Sequence, residues 1–167
     1  YAALACIAIQ SNQNDQHGGQ SIVNFDYGLA PGVRKTFKKQ YFQAMGDALE
    51  IMEGADPNAV VTLLKENLEN KGIIPALDES EDYNQAQKEL LLSQGYSEET
   101  IIKAQQFARE KAVSRTDRAT YQAMEALIHN LNTMHSRAGA QTPFSSINYG
   151  MDTSSEGRMV VKNMLLV

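Results

Sequence analysis

Apolar residues recur at steps of three and four along most of this chain, which predicts a largely helical molecule with two strand-like interruptions. The opening run Tyr1–Ile9 is apolar on nearly every face, with Leu4, Ile7 and Ala8 at helical spacing. That pattern predicts a buried helix ending where the polar run Ser11–Gln16 begins. Gln20–Tyr27 sets Val23, Phe25 and Tyr27 against Asn24 and Asp26, a short strand. Pro31 suits a first helical turn. From there Val33, Phe37, Tyr41, Met45, Leu49 and Met52 mark one face of a long helix closing near Gly54.

Asp56-Pro57 reads as the next helix start, an oxygen cap followed by proline. Val60, Leu63, Leu64 and Leu68 supply its apolar face, and Gly72 its end. Pro75–Asp82 is acidic and reads as a loop. Tyr83, Ala86, Leu90 and Leu91 predict a shorter helix closed by Gly95. Ser97-Glu98-Glu99 then places a cap and two acids where a helix dipole favours them. Ile101, Ala104, Ala108, Ala112, Tyr121, Met124, Ile128, Leu131 and Met134 carry a second long helix up to Ser136. Gln141–Tyr149 is rich in strand formers, and Thr153-Ser-Ser-Glu156 matches a capping box ahead of Met159, Val160, Met164 and Val167. The expectation is an α/β, mostly helical chain of about two short strands and five to seven helices. Each strand follows a glycine-containing turn and precedes a helix, the rhythm of an α/β barrel segment.

Composition narrows the function classes. The chain has 167 residues, 43% of them hydrophobic, enough for one ordinary core. A net charge of −5 gives no basic footprint for DNA or RNA. No apolar run approaches the roughly 20 residues that span a bilayer. The single cysteine, Cys6, excludes an internal disulfide framework and a multi-cysteine zinc site within the chain. A cytoplasmic setting is the simplest expectation. Both ends are apolar, Tyr1–Ile9 and Met164–Val167, where free termini are usually polar. This predicts a single internal segment of a longer polypeptide.

Candidate chemistry concentrates in two stretches. Gln13–Ser21 packs Gln13, Asn14, Asp15, Gln16, His17 and Gln20 around Gly18-Gly19. Glycines admit close backbone approach, and neutral amides both donate and accept, which suits base edges and sugar hydroxyls. A tight helix-to-strand turn dressed in polar residues explains the same letters, and short glycine motifs recur by chance. Arg137–Gly150 is built alike, with Gly139 ahead of Gln141-Thr142-Pro143-Phe144. Its proline points either to ligand contacts at a strand mouth or to an edge strand. Arg34, Lys35, Lys38 and Lys39 read as basic residues at a helix start, suited to an anion or to a solvated face. His17, His129 and His135 lack metal-ligand spacing, and Cys6 has no basic neighbour to activate it. No catalytic triad or paired carboxylates stand out.

Together the two stretches resemble the anaerobic, glycyl-radical (class III) ribonucleoside-triphosphate reductases. The residues that carry the likeness are Gln13-Asn-Asp-Gln-His-Gly-Gly-Gln20, Asn24-Phe-Asp26, Leu29-Ala-Pro31, Gln141-Thr-Pro-Phe144, Tyr149-Gly150 and Glu156-Gly-Arg-Met159. The resemblance covers roughly residues 1–45 and 120–167, in order, and leaves a helical part of about 46–115 without a recognised motif. It implies a fragment of a ten-stranded α/β barrel made of two half-barrels around a cysteine finger loop. It also implies reduction of ribonucleoside triphosphates to 2′-deoxy products through a cysteine thiyl radical. That radical derives from a glycyl radical installed by a radical-SAM activating protein, with formate as reductant and a structural zinc.

None of those parts matches a position here: Cys6 precedes the glycine turn, and no catalytic residue is assigned. The resemblance implies instead scaffold, homodimer interface and loops that meet deoxynucleotide effector or ribonucleotide substrate. Gln16, His17, Gly18, Gly19, Gln20, Gln141, Thr142 and Phe144 are the candidate contacts. The competing reading from the residues alone is a free-standing helical interaction module without catalysis; an isolated nucleotide-binding domain is a third.

Overall fold

The computed structural model describes residues 1–16, 18–135 and 141–167. In chain order its elements are α1 (Ala2–Asp15), β1 (Gln20–Ile22), α2 (Phe25–Glu53), α3 (Pro57–Asn67), α4 (Glu81–Ser93), α5 (Glu98–Thr133), β2 (Ser145–Ile147) and α6 (Ser155–Leu166). The mostly helical expectation holds, with a parallel pair of strands among the described residues. The chain divides into two compact units, Tyr1–Val33 with Asp117–Val167, and Arg34–Thr116. Both boundaries fall inside helices, α2 and α5.

In the first unit β1 and β2 run parallel, Gln20 beside Ser145 and Ile22 beside Ile147. Cys6, Ile9, Phe25, Val33, Met124, Leu127, Leu131 and Val160 form its core, with Ile22 and Ile147 packed against them. Several expectations need correction here. The first helix does not stop at Ser11 but runs to Asp15, and it is not buried all round. Its covered face is Cys6, Ile9 and Gln13, while Leu4 and Ile7 are 65% and 56% exposed. A helix loses water only on the side that meets a neighbour.

The predicted strand Gln20–Tyr27 ends at Ile22, because helix α2 begins at Phe25. Asn24 adopts a left-handed φ of 52°, which turns the chain out of the strand, and Asp26 supplies an acid in the first helical turn. Phe25, Val33 and Phe37 are buried at multiples of four, a helical face that reaches back past the apparent period of two. Pro31 therefore lies inside α2 rather than in its first turn. By the same shift Arg34, Lys35, Lys38 and Lys39 lie beyond the second turn and not at a helix start. Lys38 meets Glu69 at 2.5 Å.

The second unit matches its sequence pattern more closely. Asp56 caps α3 by accepting from the Asn58 N–H at 3.0 Å, with Pro57 at the first helical position. Gly72, at φ 78°, ends the single 3-10 turn that follows α3. Ser80 caps α4 and Ser97 caps α5. Gly46 lets α2 approach α3, since a Cβ there would lie 2.9 Å from the Pro57 carbonyl oxygen. Inside, the Tyr41 and Tyr83 rings meet edge-on at 5.7 Å. The Tyr41 hydroxyl donates to Gln87 Oε1 at 2.9 Å, which also accepts from Gln105 Nε2 at 3.0 Å. Gln87 is fully buried, and burial pushes both tyrosine hydroxyls up from their ordinary pKa.

Replacing the buried amide tests that network. Gln87→Leu keeps the bulk but removes the acceptor of the Tyr41 hydroxyl. It should lower unfolding free energy by about 2 kcal/mol, read by chemical denaturation.

Candidate functional site

Gln16 closes α1 in an extended conformation, its N–H donating to Asn12 O at 3.0 Å. Gly18 follows at φ 106°, a value that disfavours any residue with a Cβ. His17 lies outside the described residues, as do Arg137 and Gly139 of the second stretch. Gln20 opens β1, and its side-chain oxygen accepts from Asn12 Nδ2 at 2.8 Å, so the end of α1 and the start of β1 are tied together.

The two candidate stretches meet at the N-terminal ends of the strands. The Gln20 N–H donates to Phe144 O at 2.8 Å. The Phe144 ring lies over Gly19, where a Cβ would come within 2.8 Å of Cδ1. Phe144 is 80% exposed, a large apolar surface beside polar amides. Gly19, Gln20 and Phe144 are thus brought together, while Gln141 and Thr142 are exposed positions just upstream of Pro143. Among the described residues of this arrangement, Gln16, Gly18, Gly19, Gln20, Gln141, Thr142 and Phe144, there is no cysteine, histidine or carboxylate. Cys6 is buried and its thiol donates to Leu127 O at 3.8 Å. Burial raises its pKa, the reverse of activation.

At the opposite end of the strands lies a feature that sequence reasoning missed. The Asn148 N–H donates to Ile22 O at 2.8 Å and the Phe25 N–H to Asn148 O at 3.0 Å. The ladder then passes to a side chain. Asp26 Oδ2 accepts from the N–H of Gly150 at 2.8 Å and of Asp152 at 3.0 Å. Asp26 is fully buried. Burial alone would raise its pKa, but the N–H groups of Asp152, Gly150, Tyr27 and Asp26 itself outweigh it and hold the carboxyl below its usual value.

Asp152 in turn accepts from the Ser154 N–H at 2.8 Å, and Ser154 caps α6 through the Gly157 N–H at 3.1 Å. The cap is therefore Ser154, one residue later than the expected Thr153. Gly157 makes room for this turn, since a Cβ there would sit 2.5 Å from Asp152 Cγ. Nearby, Asp117 binds Asn163 Nδ2 at 2.8 Å and Lys162 at 2.7 Å, fastening α6 to α5. Asp26 and Gly150 were within the motifs that carried the resemblance, but nothing in their spacing pairs them.

A family profile described as anaerobic ribonucleoside-triphosphate reductase matches residues 1–167. This chain belongs to that family. The reductase likeness thus extends through the helical part that carried no recognised motif. Among curated proteins, the anaerobic ribonucleoside-triphosphate reductases of Salmonella typhimurium and Escherichia coli are each 39% identical to it over 54 residues. The matched stretch is 32% of this chain and 7% of each relative's length. Among the described residues no group of three His, Cys, Asp or Glu could hold a metal ion, and no helix is long and apolar enough to cross a membrane.

Two expectations follow from the geometry. Gly157→Ala drives a methyl into the Asp152 turn, whereas Gly19→Ala meets an exposed ring that can swing away. Gly157→Ala should therefore lower the thermal midpoint by several degrees, and Gly19→Ala by much less. The depressed carboxyl of Asp26 stabilises the fold fully above its unfolded pKa, near 4, and that contribution is lost as pH falls through the lower folded value. Thermal midpoints below about pH 4 should fall less steeply in Asp26→Asn than in the unaltered chain.

Proposed function

We propose that this chain is part of an anaerobic ribonucleoside-triphosphate reductase that converts ribonucleoside triphosphates to 2′-deoxyribonucleoside triphosphates in the cytoplasm. The family match along the whole chain carries this reading. It favours an enzyme segment over a free-standing interaction module. On this reading the strand pair is a portion of the larger α/β barrel. The glycyl radical, its radical-SAM activating protein, the formate reductant and the structural zinc belong to parts of the enzyme other than these residues. The one cysteine supports that division, because a buried, hydrogen-bonded thiol with a raised pKa is a poor radical or redox centre.

The role assigned to this segment is scaffold and ligand loop. Gln16, Gly18, Gly19 and Gln20, with Gln141, Thr142 and Phe144 beside them, meet either the deoxynucleotide effector or the substrate base near the homodimer interface. What supports this is the convergence of the two stretches: Gly19 and Gln20 are held against Phe144 across the strand pair. Exposed amides next to an exposed aromatic ring can read a base edge and cover its face. A turn fixed at both sides also loses little freedom on binding. Residue His17 belongs to the proposed contact set by its place in the motif.

Effector titration of the intact reductase tests the assignment. With dATP, dGTP or dTTP as effector, Gln16→Ala and Gln141→Ala should each alter which ribonucleotide is reduced. Unchanged substrate choice in both variants would remove the loop from the recognition surface.

A further inference from the structure

We infer that Asp26 is a positioning residue for substrate choice, locking the register of β1 on β2 and so seating the glycine turn against Phe144. The inference rests on the reading of that turn as a ligand loop. Each strand is only three residues long, and the pair shares few backbone bonds. Its ladder is bonded at one end by Gln20 N–H to Phe144 O and at the other by Asn148 and Phe25. Beyond Phe25 no strand continues, and Asp26 Oδ2 takes over by accepting the Gly150 and Asp152 N–H groups, 124 and 126 residues away.

Side chains alternate along a strand, so a slip of one residue would turn Ile22 away from the core and Ser21 into it. The same slip would carry Phe144 off Gly19 and break its bond to Gln20. The carboxylate holds the far end of the pair and thereby fixes the near end. Gly150, at φ 100°, and Gly157, pressed on Asp152, give the strap the shape that brings both N–H groups to one oxygen. Both bonds use the same oxygen, so the clamp depends on an acceptor in that place rather than on charge alone. An asparagine oxygen can occupy it.

The experiment compares Asp26→Ala, Asp26→Asn, Gln16→Ala and Gln141→Ala in the intact reductase. The readout is the ratio of kcat/KM for two ribonucleoside triphosphates at saturating deoxynucleotide effector. Asp26→Ala should shift that ratio by about tenfold, within the range by which coupled sites alter one another. Asp26→Asn should restore most of the wild-type ratio. Loss of stability alone would lower the amount of active enzyme without changing the ratio. If Asp26→Ala does not fold, Gly157→Ala, which displaces Asp152 and leaves Asp26 in place, should shift the ratio instead.

A wild-type ratio in Asp26→Ala with an altered one in Gln16→Ala overturns the clamp and leaves the loop reading standing. Equal loss in Asp26→Ala and Asp26→Asn also overturns it, because charge would then be the cause. If Gln16→Ala and Gln141→Ala are both silent, the loop reading falls, and the clamp as its positioner goes with it.

Discussion

Bringing residues 20–22 beside residues 145–147 is the constraint on which the first unit depends. The intervening chain exceeds a hundred positions, and closing a flexible loop of that length costs roughly 4 kcal/mol beyond the constant of closure. Three-residue strands cannot offset that with ladder bonds alone. The core of Cys6, Ile9, Phe25, Met124, Leu127 and Val160 supplies the non-directional part of the compensation. Direction and register come from polar contacts, above all the buried Asp26 carboxylate under the Gly150–Asp152 strap. Such a group is costly to bury without donors; the Gly150 and Asp152 N–H groups converge on Oδ2 and define where the strap lies, while Oδ1 is buried without a hydrogen-bond partner among the described residues.

The second unit solves a different problem with similar means. Its core contains two tyrosines and a glutamine where apolar side chains would pack more simply. The hydroxyls and amides are directed at one another, so Tyr41, Tyr83, Gln87 and Gln105 fix the relative rotation of α2, α4 and α5 within the unit. Arg109 adds a second tether, donating to Leu77 O at 2.6 Å and pinning the segment between the 3-10 turn and α4. Exposed ion pairs such as Arg115 with Asp47 contribute little beside these.

Helix starts were legible in the sequence where a cap and its helix are neighbours. Asp56-Pro57 and Ser97 act within three residues of themselves, so local chemistry announces them, whereas the Ser80 cap lies in a stretch that reads as a loop. The misread features share one cause, which is that tertiary neighbours decide them. Leu4 and Ile7 look like core residues until the partner surface of α1 is known to face Cys6 and Ile9. Val23, Phe25 and Tyr27 alternate like a strand, yet Asn24 turns the chain and Phe25 joins the face of α2. Among the candidate contacts, the glycine turn and Phe144 were each visible, and their juxtaposition was not. Asp26 was invisible as a clamp, because its two partners lie more than a hundred residues downstream.

The parallel pairing also imposes an order of events during synthesis. Parallel strands need a crossover, and here the crossover holds the whole of Arg34–Thr116, a compact unit of its own. At ribosomal rates of about 5–20 residues per second, β1 emerges on the order of ten seconds before β2. Gln20–Ile22 must meanwhile wait as an unpaired edge, with Ser21 and the polar turn before it guarding against premature partners.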